Sequence, residues 1–507
     1  MKKDLINITY WREAHLLPLM CTTDAFYVKY ARKVRDRIRK ADFEWKLSQD
    51  DMTEVALTLT YYFEDVVSGL GVWHAFIQEH KRLYGRFLPF YNVDEEQYFT
   101  DEVNEQDVLF LIWMIFQKRN GQVIVNPENP YMKQLAHEIF LLFDEDFEQM
   151  PINEELLNAL KNPQIYQDFY NVKTLMVQVC CMSYLFYYFT TQHRERIADQ
   201  VIHFLPQNSP VSALAYFTES VLGVEIPTGP LAQKPALWLS RMLASWGMEQ
   251  EAKWMEQMQT KELQPYLVVT LDEEKVVLED IQGQHYELLL KDMMEQDPKV
   301  LLQQKTFLGH LVQYRGQWFL NGGGNWLKDT EKFQKYKEEH LALEEQNKKI
   351  YKRVQKITEG LPVFFFADYK EMVSWMNKNF KRYVDMKAVK ESADSHQDEK
   401  NLAVFVSQEK GIVVLPDAAE YIAHPDNPFY KPENATTGAV RLLFDMTYAA
   451  PETVETLVQH DLLPDAALHS DEGVEQGRKL LKDNLDFLLR MIRSDFNIVS
   501  DLSLIHI

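Results

Sequence analysis

The stretch Tyr266–Leu290, YLVVTLDEEKVVLEDIQGQHYELLL, decides the predicted fold of this chain. Three short runs rich in β-branched, aromatic and aliphatic residues are separated by the turn-like tripeptides DEE and QGQ, a pattern typical of consecutive strands. Two further runs of this kind follow, and the predicted strands are Tyr266–Leu271, Lys275–Ile281, His285–Leu290, Phe307–Val312 and Gln317–Leu320. Short strands joined mostly by tight turns predict a small antiparallel β-barrel, or a strongly bent sheet, over residues 262–328.

A glycine run in Leu320–Trp326, LNGGGNW, follows the last predicted strand and could cradle a phosphate. A Walker-type loop needs a lysine and a hydroxyl residue directly after the last glycine, whereas Asn325 and Trp326 stand there. A dinucleotide-binding fingerprint needs a strand–helix–strand unit with a parallel sheet, which is not evident around this run. We therefore expect a flexible exit from the barrel with glycines at positive φ, and keep anion binding by backbone N–H groups as the alternative.

Residues 1–260 carry helical signals and predict a mostly helical N-terminal region. Asp51 and Glu54 have capping-box spacing before a helix that ends near Ser68. Val108–Phe116, VLFLIWMIF, is apolar on every side and predicts a central buried helix.

Two further segments follow the predicted barrel. Residues 329–360 contain a long charged helix whose apolar positions alternate spacings of four and three, which is typical of an a/d seam. This helix either packs on its own domain or forms a dimeric coiled coil. Residues 361–500 mix strand-like and helical runs, including a hairpin formed by Leu402–Ser407 and Gly411–Leu415. The predicted fold class is therefore α+β, with domains at 1–260, 262–328, 329–360 and 361–500.

The composition indicates a soluble globular protein of a reducing compartment. The 507 residues suggest about three domains, and the 46% of hydrophobic residues can build large cores. A formal charge of −22 repels nucleic acid and anionic membranes on average. The three cysteines fit a chain without disulfides. The N-terminal lysines are not followed by an apolar run as long as a signal peptide core, and no apolar run in the sequence is as long as a membrane span. We expect a cytoplasmic protein that does not bind a membrane.

The end of the chain has an unusual sequence. Its last residues, Leu502–Ile507 (LSLIHI), resemble translated sequencing-adapter read-through. We expect the natural sequence to be lost near Val499, and we derive no function from the final residues.

Motifs with catalytic or metal-binding spacing are absent from the sequence. HExxH, paired CxxC and GxSxG patterns do not occur, and the 14 histidines are scattered. His469–Asp471 contains three triad residue types, but a triad is assembled in space, and this tripeptide is better placed to cap the final helix. Glu64, Asp65, His74 and His80 are interpreted as structural or surface residues. The sequence thus predicts no catalytic residue, no metal site and no cofactor.

The least expected feature is a basic helix at Lys29–Lys40, KYARKVRDRIRK, with seven basic residues and one acidic residue. Arg32, Arg35 and Arg39 share one helical face, and arginine side chains suit phosphate or carboxylate groups. They are the candidate binding residues for an acidic protein partner, with nucleic acid as the weaker alternative. A third interpretation is a solvated helix face, or one that pairs internally with two acidic segments, Asp94–Glu96 and Asp101–Asp107.

The aromatic stretches of the chain resemble an uncharacterised protein family of gut Bacteroidetes. The stretches that carry the resemblance are YYFEDVVSGLGVWHAF at Tyr61–Phe76, LYGRFLPFY at Leu83–Tyr91, DVLFLIWMIF at Asp107–Phe116, IVVLPDAAEYI at Ile412–Ile422 and NPFYKPENAT at Asn427–Thr436. These motifs are mainly aromatic and specify a fold more than a site. The resemblance implies a bacterial cytoplasmic setting and no assigned activity, so it supplies no catalytic residue.

Three functions fit these observations. The leading hypothesis is a non-enzymatic protein-interaction or scaffold protein, because catalytic spacing is absent while helices, a small barrel and a heptad helix are present. The second is a nucleic-acid-associated protein that uses the basic helix 29–40. The third is an enzyme whose site is assembled from residues distant in sequence. The oligomeric state and the identity of any partner are left open.

Overall fold

A computed structural model describes the chain over most of its length. The described residues are 6–13, 15–41, 47–94, 96–120, 123–202, 211–293, 303–357, 363–408, 411–445, 448–464 and 473–493. They form two compact units, the first from the described residues of 1–119 and 127–330 and the second from those of 120–126 and 331–498. Helices predominate beside a closed barrel and a small sheet, so the predicted α+β class is confirmed. The finer division into four domains stays a prediction.

The first unit begins with a run of helices. Its described helices are α1 Ile8–Glu13, α2 Asp24–Ala41, α3 Gln49–Ser68, α4 Val72–Tyr84, α5 Glu105–Arg119, α6 Pro130–Asp146, α7 Glu154–Leu160, α8 Phe169–Val177, α9 Tyr187–Ile202, α10 Val211–Leu222, α11 Pro235–Ser245 and α12 Glu249–Glu256. A π-helical turn, Gln178–Met182, extends α8. The helix predicted to be buried on every side is α5, whose residues 108–115 are all buried. None of the described helices is long and apolar enough to cross a membrane.

The start of α3 differs from its prediction. Ser48 is the N-cap residue, and its hydroxyl accepts a hydrogen bond from the Asp51 backbone N–H at 3.1 Å. The Asp51 carboxylate accepts in return from the Ser48 N–H at 3.0 Å. The capping box therefore begins three residues before the predicted Asp51–Glu54 pair, because serine followed three residues later by aspartate satisfies the same backbone groups.

Buried carboxylates explain why the N-terminal motifs are so aromatic. Asp65 caps α4 by accepting hydrogen bonds from the backbone N–H groups of Val72 at 3.2 Å and Trp73 at 2.7 Å. The Trp73 indole N–H donates to Asp107 on α5 at 2.9 Å. Trp73 thus connects two buried carboxylates. Burying a carboxylate costs free energy, and the hydrogen bonds to each of them offset this cost.

The predicted barrel is present as a closed five-stranded sheet. Its strands are β1 Gln259–Leu271, β2 Lys275–Glu279, β3 His285–Leu289, β4 Thr306–Tyr314 and β5 Gln317–Leu327, in the order β1-β2-β3-β5-β4. Four of the pairings are antiparallel, but β3 pairs with β5 in parallel through Leu288 and Trp318. The expectation of an entirely antiparallel barrel is therefore wrong at this seam, where the sheet closes.

The glycine run lies within β5, so the expected flexible exit loop is wrong. Gly324 pairs with Gly309 of β4, and the register between the two strands shifts just before this pair. A Cβ atom at Gly324 would overlap the ring of Phe307, and one at Gly323 would overlap the ring of Phe217. The glycines are needed because aromatic rings lie directly on the strand backbone.

The second unit combines helices with a three-stranded sheet. Its described elements are α13 Glu331–Ile357, β6 Val363–Asp368, α14 Tyr369–Phe380, α15 Met386–Ser395, β7 Lys400–Ser407, β8 Gly411–Leu415, α16 Ala435–Phe444, α17 Pro451–Gln459 and α18 Val474–Ile492. The sheet is antiparallel in the order β6-β7-β8, which confirms the predicted hairpin. The predicted cap at His469–Asp471 and the final residues Leu502–Ile507 lie outside the described residues.

The long helix α13 is buried along part of its predicted seam. Ile350 and Val354 pack with Phe380 of α14 and Val406 of β7. Leu343, earlier in the same seam, is 53% exposed. The later half of α13 therefore packs on its own unit, as the first of the two predicted arrangements requires, while a dimeric coiled coil stays an untested prediction.

Candidate functional site

The three arginines predicted to bind a partner lie on α2 in different surroundings. Arg32 is half-buried, and its guanidinium donates to the backbone oxygen of Ile6 at 2.8 and 2.5 Å. Arg39 is exposed and pairs with Asp36 at 3.0 Å. Arg35 is also half-buried. Arg32 therefore holds the segment before α1, and the three side chains do not form a common exposed face.

Other basic residues of α2 pair with acidic residues of α6. Lys33 forms an ion pair with Asp146, and Arg37 pairs with Glu138 at 2.9 Å. Neither Asp146 nor Glu138 belongs to the two acidic segments that were predicted as partners. Asp107, which ends the second of those segments, is buried among its own hydrogen-bond donors, so it is not a surface counter-charge.

A surface cavity of about 340 Å³ lies beside the basic helix. We call it the α2 groove, and its lining residues are Phe26, Lys29, Tyr30, Lys33, Asp146, Gln149 and Met150. The four residues from α2 follow helical spacing and so present one face of the helix. The Tyr30 hydroxyl donates to Asp146 at 2.9 Å, which joins α2 to the end of α6.

The α2 groove combines an apolar surface with positive charge. The Phe26 side chain is 43% exposed, which leaves an aromatic ring available at the surface. Lys29 is exposed one helical turn away. Lys33 also lines the groove but shares its charge with Asp146. Among the described residues Lys29 has no ion-pair partner, and an aromatic ring beside such a lysine suits an apolar group that carries an adjacent negative charge.

Exposed apolar side chains also occur in the two segments that adjoin the groove residues in the sequence. Met20, just before α2, is 73% exposed, and Ile152, just after the groove residue Met150, is 55% exposed. The start of α2 is fixed to this second segment, because the Thr22 backbone N–H donates to Glu155 at 2.6 Å. Clustered exposed apolar residues of this kind mark interaction surfaces more often than isolated ones do.

A second polar cluster, which the sequence analysis missed, surrounds Lys173 on α8. The Lys173 ammonium donates to the Tyr216 hydroxyl and to Ser220 Oγ, both at 3.1 Å and both on α10. Lys173 is only 5% exposed, and burial lowers its pKa to about 8. The signal in the sequence was a single lysine within the otherwise uncharged helix FYNVKTLMV.

The glycine-rich strand contributes a third polar group next to this cluster. The Asn321 side-chain amide donates to the backbone oxygen of Ser220 and to Nδ1 of His310, both at 2.9 Å. His310 Nε2 in turn lies 3.0 Å from Glu225. Burial acts to raise the pKa of Glu225, but the hydrogen bond from His310 and the charge of Lys234 outweigh it and hold the pKa near 2. The barrel is thereby fixed to α10 through buried polar contacts.

The acidic and histidine residues singled out in the sequence do not converge on one site. Glu64 pairs with His15 at 2.8 Å, both fully buried, while Asp65 caps α4. His80 is buried and contacts the backbone oxygen of Arg86 at 2.7 Å. These contacts agree with the structural role predicted for them. In the described part of the chain, three or more His, Cys, Asp or Glu residues nowhere come together in a way that could hold a metal ion.

Comparison with known proteins gives one match. A family model described as "Protein of unknown function (DUF3843)" matches residues 9–315 and 327–493. The two matched stretches cover most of the chain and exclude residues 316–326, which contain the glycine run. No curated protein and no solved structure matches the chain.

Proposed function

The chain belongs to the DUF3843 family of proteins of unknown function, and we propose that it is a non-enzymatic interaction protein that binds an acidic protein segment in the α2 groove. One observation carries this proposal: the exposed ring of Phe26 and the exposed Lys29 line the same cavity. Such a surface supplies both an apolar anchor and a charge that selects the partner.

The size of the groove fits a short peptide segment. A cavity of about 340 Å³ lies at the lower end of the range for ligand sites, roughly 300–1,000 Å³. It can accept one or two apolar side chains, while the rest of the segment lies across Met20 and Ile152. Anchors of this kind dominate binding energy when they enter a pocket that excludes water.

The charge of the whole chain limits which partners can bind there. At −22 the protein repels most acidic molecules, so an acidic segment needs its apolar side chains in order to bind. Nucleic acid offers phosphates without such side chains. Internal pairing of Lys33, Arg37 and Arg39 further weakens the positive field of α2, which is why nucleic acid is the weaker alternative.

The setting of this interaction is part of the same proposal. The resemblance of the aromatic motifs to a family of gut Bacteroidetes supports a bacterial cytoplasm as the location. A partner would then be another cytoplasmic protein with an exposed acidic and apolar segment.

Fluorescence anisotropy with designed probes tests the proposal. The first probe is a short fluorescein-labelled peptide with glutamates flanking central leucines, and the second replaces the glutamates with lysines. We expect the full chain to bind only the acidic probe, and Lys29→Glu to weaken this binding roughly tenfold, about 1.4 kcal/mol. Lys40→Glu is the matched control, because Lys40 is exposed on the same helix but does not line the groove.

The same assay decides between the alternatives. Labelled single-stranded RNA and duplex DNA are titrated at low and high salt. If the RNA or the DNA binds tightly and in a salt-sensitive way, and Lys29→Glu abolishes this binding, the partner is nucleic acid and not a protein. Equal binding of the acidic and basic peptides, or equal effects of Lys29→Glu and Lys40→Glu, would overturn the proposed groove.

A further inference from the structure

A buried amine, Lys173 Nζ, lies between α8 and α10, and the described part of the chain gives it no acidic partner. Lys173 Nζ is held by two hydroxyl groups, from Tyr216 and Ser220. Among the described residues no carboxylate forms an ion pair with it, and burial alone accounts for its lowered pKa. A buried lysine without a counter-charge is costly, so proteins seldom keep one without a use.

Aromatic rings form the walls around this amine. Its nitrogen lies 4.5 Å from the ring centre of Tyr216, 5.4 Å from that of Tyr170 and 5.9 Å from that of Phe169. These rings exclude water from the nitrogen, and the pKa of about 8 means that a sizeable fraction of the amine is neutral near pH 7.5. A neutral amine has the lone pair that a nucleophile needs.

The amine is close to the surface despite its burial. Lys173 itself is 5% exposed, but Tyr216, whose ring covers it, is 40% exposed. The Tyr216 ring thus contacts the nitrogen and also reaches the surface. A rotation of the Tyr216 ring is a small motion that would open the site to a small molecule.

We propose that Lys173 forms a Schiff base with an apolar aldehyde or ketone. The lone pair of Nζ attacks the carbonyl carbon, a carbon–nitrogen bond forms, and the carbonyl oxygen becomes the hydroxyl of a carbinolamine. That hydroxyl leaves as water, and the nitrogen loses its second proton to give the imine. One carbonyl compound and one amine thus yield one imine and one water, and the step needs no oxidant or reductant.

The two hydroxyl groups have separate roles in this step. Burial raises the pKa of the Tyr216 phenol, so it stays protonated and can donate to the departing hydroxyl before it recovers a proton from the nitrogen. Ser220 Oγ donates to the backbone oxygen of Tyr216 at 2.7 Å, which leaves its lone pairs facing Nζ. Ser220 thereby positions the nitrogen, and Tyr216 transfers protons.

The walls indicate the class of carbonyl compound. Phe169, Tyr170 and Tyr216 offer ring faces and edges, which favour a flat or aromatic aldehyde over a charged one. This covalent site is independent of the α2 groove, and its failure would leave the interaction proposal untouched.

Reductive trapping on the intact wild-type chain tests the proposal. Benzaldehyde is added at about pH 7.5 with sodium cyanoborohydride, and the modified lysines are identified over time by peptide mass spectrometry. We expect Lys173 to acquire the N-benzyl group at least about tenfold faster than Lys387, whose side chain is 85% exposed, because burial lowers the pKa of Lys173 to about 8. The same reaction in denaturant should remove the preference.

Two outcomes would overturn the site. In the first, Lys387 and other surface lysines react while Lys173 stays unmodified, although it reacts in denaturant. In the second, Tyr216→Phe leaves the rate of trapping unchanged, which would show that the phenol does not transfer protons in this step. Labelling of Lys173 with acetic anhydride in the same variant shows whether the nitrogen is still accessible. A loss of trapping with unchanged acetylation supports the proposed proton transfer.

Discussion

The hydroxyl of Tyr98 donates to the carboxylate of Asp107 at 2.6 Å inside the helical part of the first unit. The same carboxylate accepts from the Tyr62 hydroxyl at 2.8 Å and from the Trp73 indole at 2.9 Å. Aromatic residues that are far apart in the sequence thus meet at one buried acid. Two of the motifs that resemble a known family, Tyr61–Phe76 and Asp107–Phe116, therefore meet at this group.

Loss of one donor to Asp107 should weaken the fold. Tyr98→Phe keeps the ring and leaves a buried carboxylate oxygen with one partner fewer, which costs about 1–3 kcal/mol. Urea unfolding followed by tryptophan fluorescence measures the change. Tyr131→Phe on α6 is the control, since its ring is 42% exposed. A change below about 0.5 kcal/mol at Tyr98 would show that the hydrogen bond contributes little.

The pH dependence of stability should identify the same acid. Burial raises the pKa of Asp107 to about 6 despite its hydrogen-bond donors, so between about pH 4 and 6 the folded state binds more protons than the unfolded state. The free energy of unfolding therefore falls as the pH rises through this window, by up to ~3 kcal/mol for this group.

Asp107→Asn removes this titration. The destabilisation caused by the substitution should be largest near pH 4 and should shrink toward pH 7, as measured by urea unfolding at each pH. A cost that grows with pH would mean that the donors lower the pKa of Asp107 and that the ionised form is the one stabilised.

The glycine run should tolerate no side chain where β5 pairs with β4. Gly324→Ala places a methyl group against the ring of Phe307 and should cost about 1–3 kcal/mol through overpacking. In the double variant with Phe307→Leu the two changes should compensate in part. Additive effects of the two substitutions in thermal unfolding would contradict the direct contact.

Lys173 should reduce stability at neutral pH. Burial lowers its pKa to about 8, so between pH 8 and 10.5 the folded state binds fewer protons than the unfolded state. The wild type therefore gains stability as the pH rises through that window. Lys173→Met should stabilise the protein by up to ~3 kcal/mol at pH 7, and this advantage should vanish toward pH 10.5. A destabilised variant at pH 7 would show that the ring and hydroxyl contacts outweigh the cost of burial.

The sequence identified the elements of the fold better than their connections. The strands of the barrel follow from runs of β-branched and aromatic residues separated by short turns. All five were found, although β1 begins seven residues before its predicted start and β5 ends seven residues after its predicted end. The parallel seam between β3 and β5 was not visible, because pairing across a barrel depends on closure and not on local pattern. The glycine run was assigned to a loop. The aromatic rings that require glycine come from Phe217 on α10 and Phe307 on β4, and the sequence near the glycines does not show that these rings pack there.

The candidate sites were harder to predict. The basic character of α2 is plain in the sequence, yet the role of Arg32 depends on a tertiary partner, the backbone oxygen of Ile6, while Arg39 pairs within α2 with Asp36. The residues of α2 that line the groove with an exposed ring and an exposed charge are Phe26 and Lys29, and neither was among the predicted binding residues. Lys173 was overlooked because a lone lysine in a helix is ordinarily a surface residue, and only the packing of α10 against α8 shows that it is buried.

Site-specific photo-crosslinking tests the central claim, that the α2 groove binds a protein. Benzoylphenylalanine is placed at Phe26, and in a second variant at Tyr131, which is comparably exposed on α6 outside the groove. After irradiation in cells, the account predicts a discrete protein adduct at Phe26 that is absent at Tyr131 and lost when Lys29→Glu is added. The same adducts at both positions, a nucleic acid adduct, or no adduct at Phe26 would contradict it.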